Sequence, residues 1–190
     1  MRCSSRAGSS GLAALVLLVA GCNTNERSAA DLRRREVEDF AGEASRAPQL
    51  ASILLDRKED ELVRALAAAE LGEMPAGAAH GDALTAAVDD ESPIVRRDAI
   101  TACGNLAISA SAAPVAGRLK SDGDASVRRA AAFALGKIKG DGAVDALLAA
   151  FDDRDPGVQE LAAESLRAMT GQKFGRDAEA WRNWASTRPK

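Results

Sequence analysis

The stretch of sequence that decides the fold is DGDASVRRAAAFALGKI, which occupies residues 122–138. Its apolar side chains recur at offsets of 0, 4, 8 and 11, at Val127, Ala131, Leu135 and Ile138. A helix turns by about 100° per residue, so these four positions lie on one of its faces. The stretch therefore predicts an amphipathic helix that begins after an acidic turn.

The same pattern occurs four times along the chain. The leading valines are 32, 32 and 31 residues apart, at Val63, Val95, Val127 and Val158. A shorter apolar segment precedes each pattern, and an acidic turn that can cap the second helix joins the two. A single helix pair cannot bury its apolar face alone, whereas stacked pairs can. The sequence therefore predicts a repeat protein made of helix pairs.

The recurring pattern resembles the short bacterial HEAT repeat of phycobilisome-lyase-like proteins over residues 48–169. An Asp in the turn and the helix sequence Val-Arg-x-x-Ala-x-x-Ala-Leu-Gly-x-Ile carry the resemblance. It implies an all-α fold, a right-handed α-α superhelix or HEAT-type solenoid of about four helix pairs, whose second helices line the concave side. We expect the repeats at 48–170, between an N-terminal capping helix at 29–47 and a Trp-containing C-terminal capping helix at 171–190.

The two ends of the predicted array differ from its middle. In the last repeat Gln159 replaces the Arg, and Arg167 replaces the Gly, of the preceding repeats, as a repeat without a following neighbour allows. After it, Trp181 and Trp184 share a helical face and are expected to cover the open end rather than to stack on a ligand. The N-terminal capping helix is expected to bury four apolar residues, namely Val37, Phe40, Ala41 and Ala44.

Residues 1–21 are typical of a signal peptide. Their apolar run of about ten residues is too short to span a bilayer, which needs roughly 20 helical residues. The ending LVAGC at 18–22 resembles the lipobox of bacterial lipoproteins. The resemblance implies cleavage before Cys22, a diacylglycerol on its thiol and a short tether at 22–28. An ordinary signal peptide with a chance Cys is the alternative.

The predicted lipid anchor implies a location. The protein is expected to be exported and held at the membrane on the periplasmic side. Asn23 follows the lipidated Cys, where an Asp would suggest retention in the inner membrane by resemblance to enteric lipoproteins. The outer membrane is therefore slightly favoured if the cell has two membranes.

The composition argues against several function classes. The chain carries 25 Lys and Arg against 28 Asp and Glu, so it lacks the basic surface expected of a nucleic-acid-binding protein. With one His and no Tyr, many catalytic constellations cannot form. His80 has no Cys or second His at ligand spacing, and Cys103 replaces a core Leu of the other repeats. We therefore expect no metal, no cofactor, no catalytic residue and no enzymatic activity.

Charged residues that recur in register are expected to be structural. The acidic pairs Asp89-Asp90 and Asp152-Asp153 fall at equivalent turns, which favours a turn and cap role over general acid–base catalysis. Arg96 and Arg128 are expected to bridge to turn carboxylates of the neighbouring repeat rather than to bind a ligand. The basic run at 33–35 is expected to be solvated rather than bound to lipid headgroups, because acidic residues follow it.

One stripe of side chains on the second helices is expected to point away from the predicted core. If the second helices line the concave side, as the resemblance implies, this stripe lines a groove. Its candidate partner-binding residues stand two, six and ten positions after a leading valine: Arg97, Thr101, Asn105, Arg129, Phe133 and Lys137. The stripe continues into Glu160, Glu164 and Ala168, so the groove is expected to run from basic to acidic. Phe133, expected to be exposed, is the candidate anchor for a partner. An ordinary charged surface is the alternative.

These patterns favour a membrane-anchored, exported HEAT-repeat lipoprotein that acts as a non-catalytic protein–protein interaction scaffold or assembly factor. The expected partner is an unidentified protein or peptide in the groove, not a nucleic acid. One alternative is a small-ligand or cell-wall-fragment binder. The other is a phycobilin-lyase-like protein that handles a chromophore, against which the predicted export and the single core-placed Cys argue.

Overall fold

The computed structural model describes residues 29–140 and 142–187. The predicted signal peptide, the lipidation site Cys22 and the tether lie outside the described residues. Within them the chain is helical throughout and contains no strand, and no helix there is both long and apolar enough to cross a membrane. The helices are α1 (29–39), α2 (Ala47–Leu55), α3 (Glu61–Glu73), α4 (Gly81–Ala87), α5 (Pro93–Asn105), α6 (Ala112–Ser121), α7 (Ala125–Ile138), α8 (Ala143–Ala149), α9 (Pro156–Thr170) and α10 (Ala178–Thr187).

The helix pairs stack into two layers. The first helices α2, α4, α6 and α8 form one layer, and the second helices α3, α5, α7 and α9 pack directly against one another in the other. The four leading valines are 0% exposed and lie in the core: Val63, Val95, Val127 and Val158. The prediction of an all-α superhelix built from HEAT-type helix pairs is confirmed.

Successive second helices approach each other closely because each interior one carries a glycine at the contact. A Cβ atom added to Gly104 would lie 2.8 Å from the Cα of Ala134, and one added to Gly136 would lie 2.7 Å from the Cβ of Ser165. Only glycine permits this spacing, because a side chain would separate the two backbones. Helix α9 carries Arg167 at the equivalent position, and within the described chain no further second helix packs against it.

The acidic turns cap three of the four second helices as predicted, whereas α5 begins after Ser92, whose side chain makes no capping hydrogen bond. The carboxylates of Asp60, Asp124 and Asp155 accept hydrogen bonds from backbone N–H groups in the first turns of α3, α7 and α9. Pro93 and Pro156 occupy the first turns of α5 and α9, where the missing N–H group has no helical partner to lose.

The N-terminal helix is shorter than predicted. Helix α1 ends at residue 39, and Gly42 follows with a φ of +76°, a left-handed conformation typical of a residue that ends a helix. Val37 is buried and Phe40 is partly buried, but Ala41 and Ala44 are exposed. The prediction of inward side chains at Ala41 and Ala44 is wrong, because α1 ends before them: Ala41 lies in the turn, and Ala44 begins the 3-10 helix Ala44–Arg46.

The C-terminal segment closes the array with aromatic side chains. The carboxylate of Asp177 caps α10 by accepting a hydrogen bond from the N–H of Ala180 at 2.9 Å. Trp181 is 0% exposed and donates its indole N–H to the carbonyl of Gly175 at 2.8 Å. Its ring packs edge-on against Phe174, with centroids 5.0 Å apart. Trp181 is therefore part of the core and is not available to stack on a ligand.

Candidate partner-binding groove

The candidate residues lie along two neighbouring second helices. Arg97, Thr101 and Asn105 are on α5, and Arg129, Phe133 and Lys137 are on α7. Because α5 and α7 pack against each other, the structure brings the six residues to one surface, the groove. Asn105, Arg129 and Lys137 are exposed, and the other three are partly buried.

Both arginines of the groove form ion pairs with aspartates of the same chain. Arg129 makes two hydrogen bonds to Asp155, of 2.8 Å from Nε and 2.6 Å from Nη2. Arg97 is paired with Asp98 through two hydrogen bonds in the same way. The hydrogen bond from Arg129 lowers the pKa of Asp155 to about 2, so both partners are ionised at neutral pH. The basic end expected for the groove is thus largely neutralised.

A line of polar contacts crosses the groove from repeat to repeat. The Lys137 ammonium lies 3.5 Å from the side-chain oxygen of Asn105, whose amide nitrogen lies 3.4 Å from Oε1 of Glu73. All three residues stand ten positions after a leading valine. Glu73 was not among the predicted residues, although the offset that selected Asn105 and Lys137 also selects it.

Phe133 is partly buried, which corrects the expectation of an exposed aromatic ring. The Lys137 ammonium lies 4.7 Å from the centroid of the ring, within the range of a cation–π interaction. The ring borders a shallow cleft of about 230 Å³ between α7 and α9, whose other residues include Leu161, Glu164 and Ser165. The sequence could not show this burial, because it depends on how closely α9 packs against α7.

A ladder of ion pairs connects the turns of successive repeats. Each arginine that directly follows a leading valine binds an Asp in the next repeat. That Asp stands five residues before the next leading valine. The pairs are Arg64–Asp90 at 2.9 Å, Arg96–Asp122 at 2.8 Å and Arg128–Asp153 at 2.7 Å. The same arginines donate to backbone carbonyls at their own turn. The bridging role predicted for Arg96 and Arg128 is confirmed, and Arg64 extends it to the first repeat.

Two carboxylates of the ladder, Asp122 and Asp153, have lowered pKa values. The hydrogen bond from Arg128 lowers the pKa of Asp153, against the opposing effect of burial. At Asp122 burial is the largest influence and raises the pKa, but the hydrogen bonds and charges of Arg96 and its other partners outweigh it and lower the pKa overall. These carboxylates stabilise turns and are poorly suited to exchange protons near neutral pH.

Cys103 and His80 do not form a cluster of reactive groups. The Cys103 thiol is buried, and burial raises its pKa, so it stays protonated. The prediction that Cys103 is a core residue is confirmed. His80 ends the short 3-10 helix Pro75–His80. In the described part of the chain, no three His, Cys, Asp or Glu side chains are grouped closely enough to hold a metal ion.

A larger cavity lies in the layer of first helices, between α6 and α8. It has a volume of about 380 Å³. Small apolar residues make up most of its wall, namely Ala116, Gly117, Ala146, Ala149 and Ala150. Asp152 also lines it and accepts two hydrogen bonds of 2.9 Å from Arg182 of α10. The cavity therefore adjoins the C-terminal helix.

Stacked helix pairs with an extended face of second helices define an α-solenoid, a class of proteins that use such faces for binding. Within this class, the chain belongs to the HEAT-repeat family. Its sequence matches HEAT repeats at residues 47–124 and 112–179. No curated protein sequence matches the chain significantly.

Several solved structures are similar to the chain, among them the following two. Human deoxyhypusine hydroxylase in complex with glycerol is 25% identical, with a TM-score of 0.56 and coverage of 66% of this chain. The chain spans only 44% of that protein. The complex of CpcE and CpcF of phycocyanin lyase from Nostoc sp. is 18% identical, with a TM-score of 0.54, and covers 77% of this chain and 92% of its own. The second similarity concerns the fold alone.

The first similarity overturns the expectation that this protein is not an enzyme. Deoxyhypusine hydroxylase is an enzyme with a related fold, at a modest identity of 25%. The expectation rested on the scarcity of His and Tyr and on turn carboxylates with structural roles. Those observations describe particular residues, and they do not separate this chain from enzymes built on the same repeats.

Proposed function

We propose that this HEAT-repeat protein is an exported lipoprotein, anchored to a membrane through Cys22, whose groove binds a protein or peptide partner. The observation that carries the binding proposal is the cleft beside Phe133. A partly buried aromatic ring at the edge of a cleft is the kind of position where truncation costs most binding energy in protein interfaces. The lipobox-like ending at 18–22 supports the anchor.

The groove surrounds Phe133 with polar side chains that are already held in place. Arg129 is fixed by two hydrogen bonds to Asp155, and Lys137 lies against both Asn105 and the aromatic ring. Side chains ordered before binding lose less conformational entropy when a partner arrives. A partner that covers the ring therefore meets a preorganised polar rim.

Photo-crosslinking in living cells tests the groove. A photoreactive amino acid replaces Asn105 or Lys137, both exposed in the groove, or Ser121, an exposed control on the layer of first helices. We expect one dominant protein to crosslink from the groove but not from Ser121. Adding Phe133→Ala should reduce that crosslink at least about tenfold, because a buried aromatic anchor is lost.

Two results would contradict this proposal: equal crosslinking from both layers, or a crosslink that Phe133→Ala leaves unchanged. Phe133→Ala is a cleaner variant than a charge reversal at Arg129. Arg129→Glu would place a second carboxylate beside Asp155, which caps α9, and so would disturb the fold as well as the groove.

The anchor is tested separately by Cys22→Ser. We expect the wild-type protein to fractionate with membranes and to carry a lipid-modified N-terminal Cys in mass spectra. Cys22→Ser should leave it uncleaved or soluble, because no thiol is available for diacylglycerol. Cys3→Ser, in the predicted signal peptide, is the matched control and should be processed normally. Unchanged membrane fractionation of Cys22→Ser would end the lipoprotein proposal.

A small-ligand binder is the second candidate, and the cavity between α6 and α8 favours it. Its volume of about 380 Å³ falls within the range of small-molecule sites. Peptidoglycan fragments and small apolar molecules can be screened by tryptophan fluorescence, because Trp181 adjoins Arg182, which contacts the cavity residue Asp152. We expect a ligand to shift the emission and Ala146→Leu, which fills the cavity, to abolish the shift. A shift unaffected by Ala146→Leu would exclude this site.

A further inference from the structure

The large apolar side chains that the described residues leave exposed are all at one corner of the array. Leu32 is 65% exposed, Leu55 50% and Leu62 42%. Leu55 is the last residue of α2 and Leu62 is the second residue of α3, so the two flank the first turn of the array, at 56–60. An isolated exposed leucine needs no explanation, but a cluster of them marks a contact surface.

The third leucine, Leu32, is next in sequence to a residue of α1 that contacts the same turn. Arg33, next to Leu32, donates a hydrogen bond from Nε to Glu59 at 2.9 Å, and Glu59 belongs to that turn. The start of α1 and the first turn therefore lie side by side. We define the leucine corner as Leu32, Leu55 and Leu62.

The covalent tether limits how far this corner can lie from the lipid. Six residues separate Cys22 from residue 29, where α1 is first described. An extended chain advances at most about 3.5 Å per residue, so residue 29 lies within roughly 25 Å of the Cys22 Cα atom. Within the described residues, the start of α1, beside which the first turn lies, is therefore the part that a lipid on Cys22 holds nearest to the bilayer.

The charges around the corner indicate which membrane it suits. Residues 31–39 of α1 and residues 56–61 of the turn together contain five basic residues against eight acidic ones. Arg33 is already paired with both Glu36 and Glu59. Such a surface does not attract anionic lipid headgroups, because electrostatic attraction to them requires a net positive charge. The apolar side chains are left as the attractive component.

We propose that the leucine corner rests in the interfacial region of the bilayer that holds the lipid on Cys22, and that it orients the array there by apolar contact. This inference depends on the proposed lipid anchor. Apolar side chains placed at the boundary between headgroups and acyl chains stabilise peripheral binding in proportion to the area they bury. A second contact beside the lipid anchor fixes which end of the array faces the membrane.

Depth-dependent fluorescence quenching tests the proposal on the lipidated protein purified from membranes. The protein is reconstituted into phosphatidylcholine vesicles that carry a quencher on their acyl chains. Leu32→Cys, Leu55→Cys and Leu62→Cys are labelled one at a time; Cys103 is buried and does not compete for the label. Ser121→Cys is the matched control, because Ser121 is exposed and ends the first helix of the third repeat as Leu55 ends that of the first. Glu179→Cys reports on α10.

We expect quenching at the three leucine positions and none at Ser121 or Glu179. Added phosphatidylglycerol should leave the quenching unchanged or reduce it. Replacing all three leucines with Ser should speed transfer of the lipidated protein between vesicles by roughly tenfold or more, because the apolar contact beside the anchor is lost.

The contrary outcomes are distinct. If the protein floats with vesicles but the leucine labels are not quenched, the contact is overturned and the anchor stands. If the purified protein carries no lipid and does not float, the anchor and this inference both fail. Equal quenching at Ser121 would mean that the array lies flat, and stronger quenching with phosphatidylglycerol would mean electrostatic adsorption; both overturn the corner contact. Leucine labels shielded equally without vesicles would assign the corner to a second copy of the chain.

Discussion

The interface between α5 and α7 and the end of the array at α9 and α10 are built on the same repeat but are stabilised differently. Between α5 and α7, Gly104 lets two backbones touch, and Arg96 bridges to the next turn. At the end, Arg167 and Gln159 take the equivalent positions, and the indole of Trp181 is buried. The interior uses close backbone contact and charge, and the end uses aromatic cover.

The difference separates the two tasks of a ladder arginine. Arg128 bonds both the carbonyl of Asp122 at its own turn, at 2.9 Å, and the carboxylate of Asp153 at the next, at 2.7 Å. Gln159 keeps the first task, with a hydrogen bond of 2.8 Å to the carbonyl of Asp153, and accepts a hydrogen bond of 2.9 Å from Arg176 instead of binding a carboxylate. The bond to the local turn thus occurs in both repeats, whereas the bridge to a carboxylate occurs where another repeat follows.

Moving the terminal residue into the interior should have the largest effect. Gly104→Arg forces a side chain into a contact where even a Cβ would lie 2.8 Å from Ala134 Cα, and it buries a guanidinium between helices. We expect a loss of more than about 5 kcal/mol in the free energy of unfolding, measured by urea titration. The reverse change, Arg167→Gly, should cost only about 1 kcal/mol, because α9 loses helix propensity but no side-chain hydrogen bond or ion pair. Similar losses in free energy of unfolding for the two variants would contradict the claim that the interior, unlike the end, depends on close backbone contact.

Removing the aromatic cover should cost slightly less and act locally. Trp181→Ala empties a fully buried site against Phe174 and should destabilise the protein by about 4 kcal/mol. Hydrogen exchange should rise in α8 to α10 and change little in α3 and α5. Trp184→Ala, at a partly buried position, is the control with a smaller expected loss. Faster exchange spread evenly over all repeats would contradict a local role for the cover.

Breaking one rung of the ladder should rank third. Arg128 and Asp153 side chains are only 5% and 10% exposed, so Arg128→Ala leaves a nearly buried carboxylate unpaired, at a cost of about 3 kcal/mol. Arg128→Gln should cost less than Arg128→Ala, because it reproduces the local bond that Gln159 makes. Arg182→Ala breaks an exposed pair at the end of the array and should cost at most about 1 kcal/mol. Urea titration of the three variants measures the loss in free energy of unfolding. Equal losses for Arg182→Ala and Arg128→Ala would show that the ladder pair contributes no more than an exposed ion pair.

The parts of this comparison that could be predicted from sequence are those that repeat within the chain. The offsets of the apolar residues gave the buried face of each second helix, and the register of Arg96 and Arg128 predicted the bridges. The substitutions at Gln159 and Arg167 marked the end. All of these depend on helical periodicity and on which residues stand at equivalent positions of neighbouring repeats, and both can be read from the sequence.

The groove was predicted less well because its properties depend on distances between helices. The pairing of Arg129 with Asp155 and the partial burial of Phe133 both arise where α9 packs against α7. Offsets from a leading valine place a side chain on a helical face, but they do not show what faces it from the next helix. The position where α1 ends was not predicted either, because the apolar spacing in the sequence continues past the turn at Gly42.

Acid should weaken the interior and the end unequally, and this is the smallest expected effect. The folded-state pKa values of Asp122 and Asp153 are lowered, and that of Asp155 falls to about 2. A carboxylate with a lowered pKa contributes stability that is complete above its unfolded pKa of about 4 and is lost as the pH falls through the folded value. Urea midpoints should therefore be steady above about pH 5 and decline between about pH 4 and pH 2.

The ladder can be separated from other causes of this decline by Arg128→Ala. Without the hydrogen bond from Arg128, the pKa of Asp153 loses the main cause of its depression. The variant should therefore take up fewer protons on unfolding between about pH 4 and pH 2, and its stability should fall less steeply than that of the wild-type protein. Phe133→Ala changes no ion pair and should keep the wild-type slope. Parallel slopes for Arg128→Ala and wild type would show that the acid sensitivity comes from carboxylates outside this rung, and the interior would then owe its stability to the close helix contact at the glycines rather than to charge.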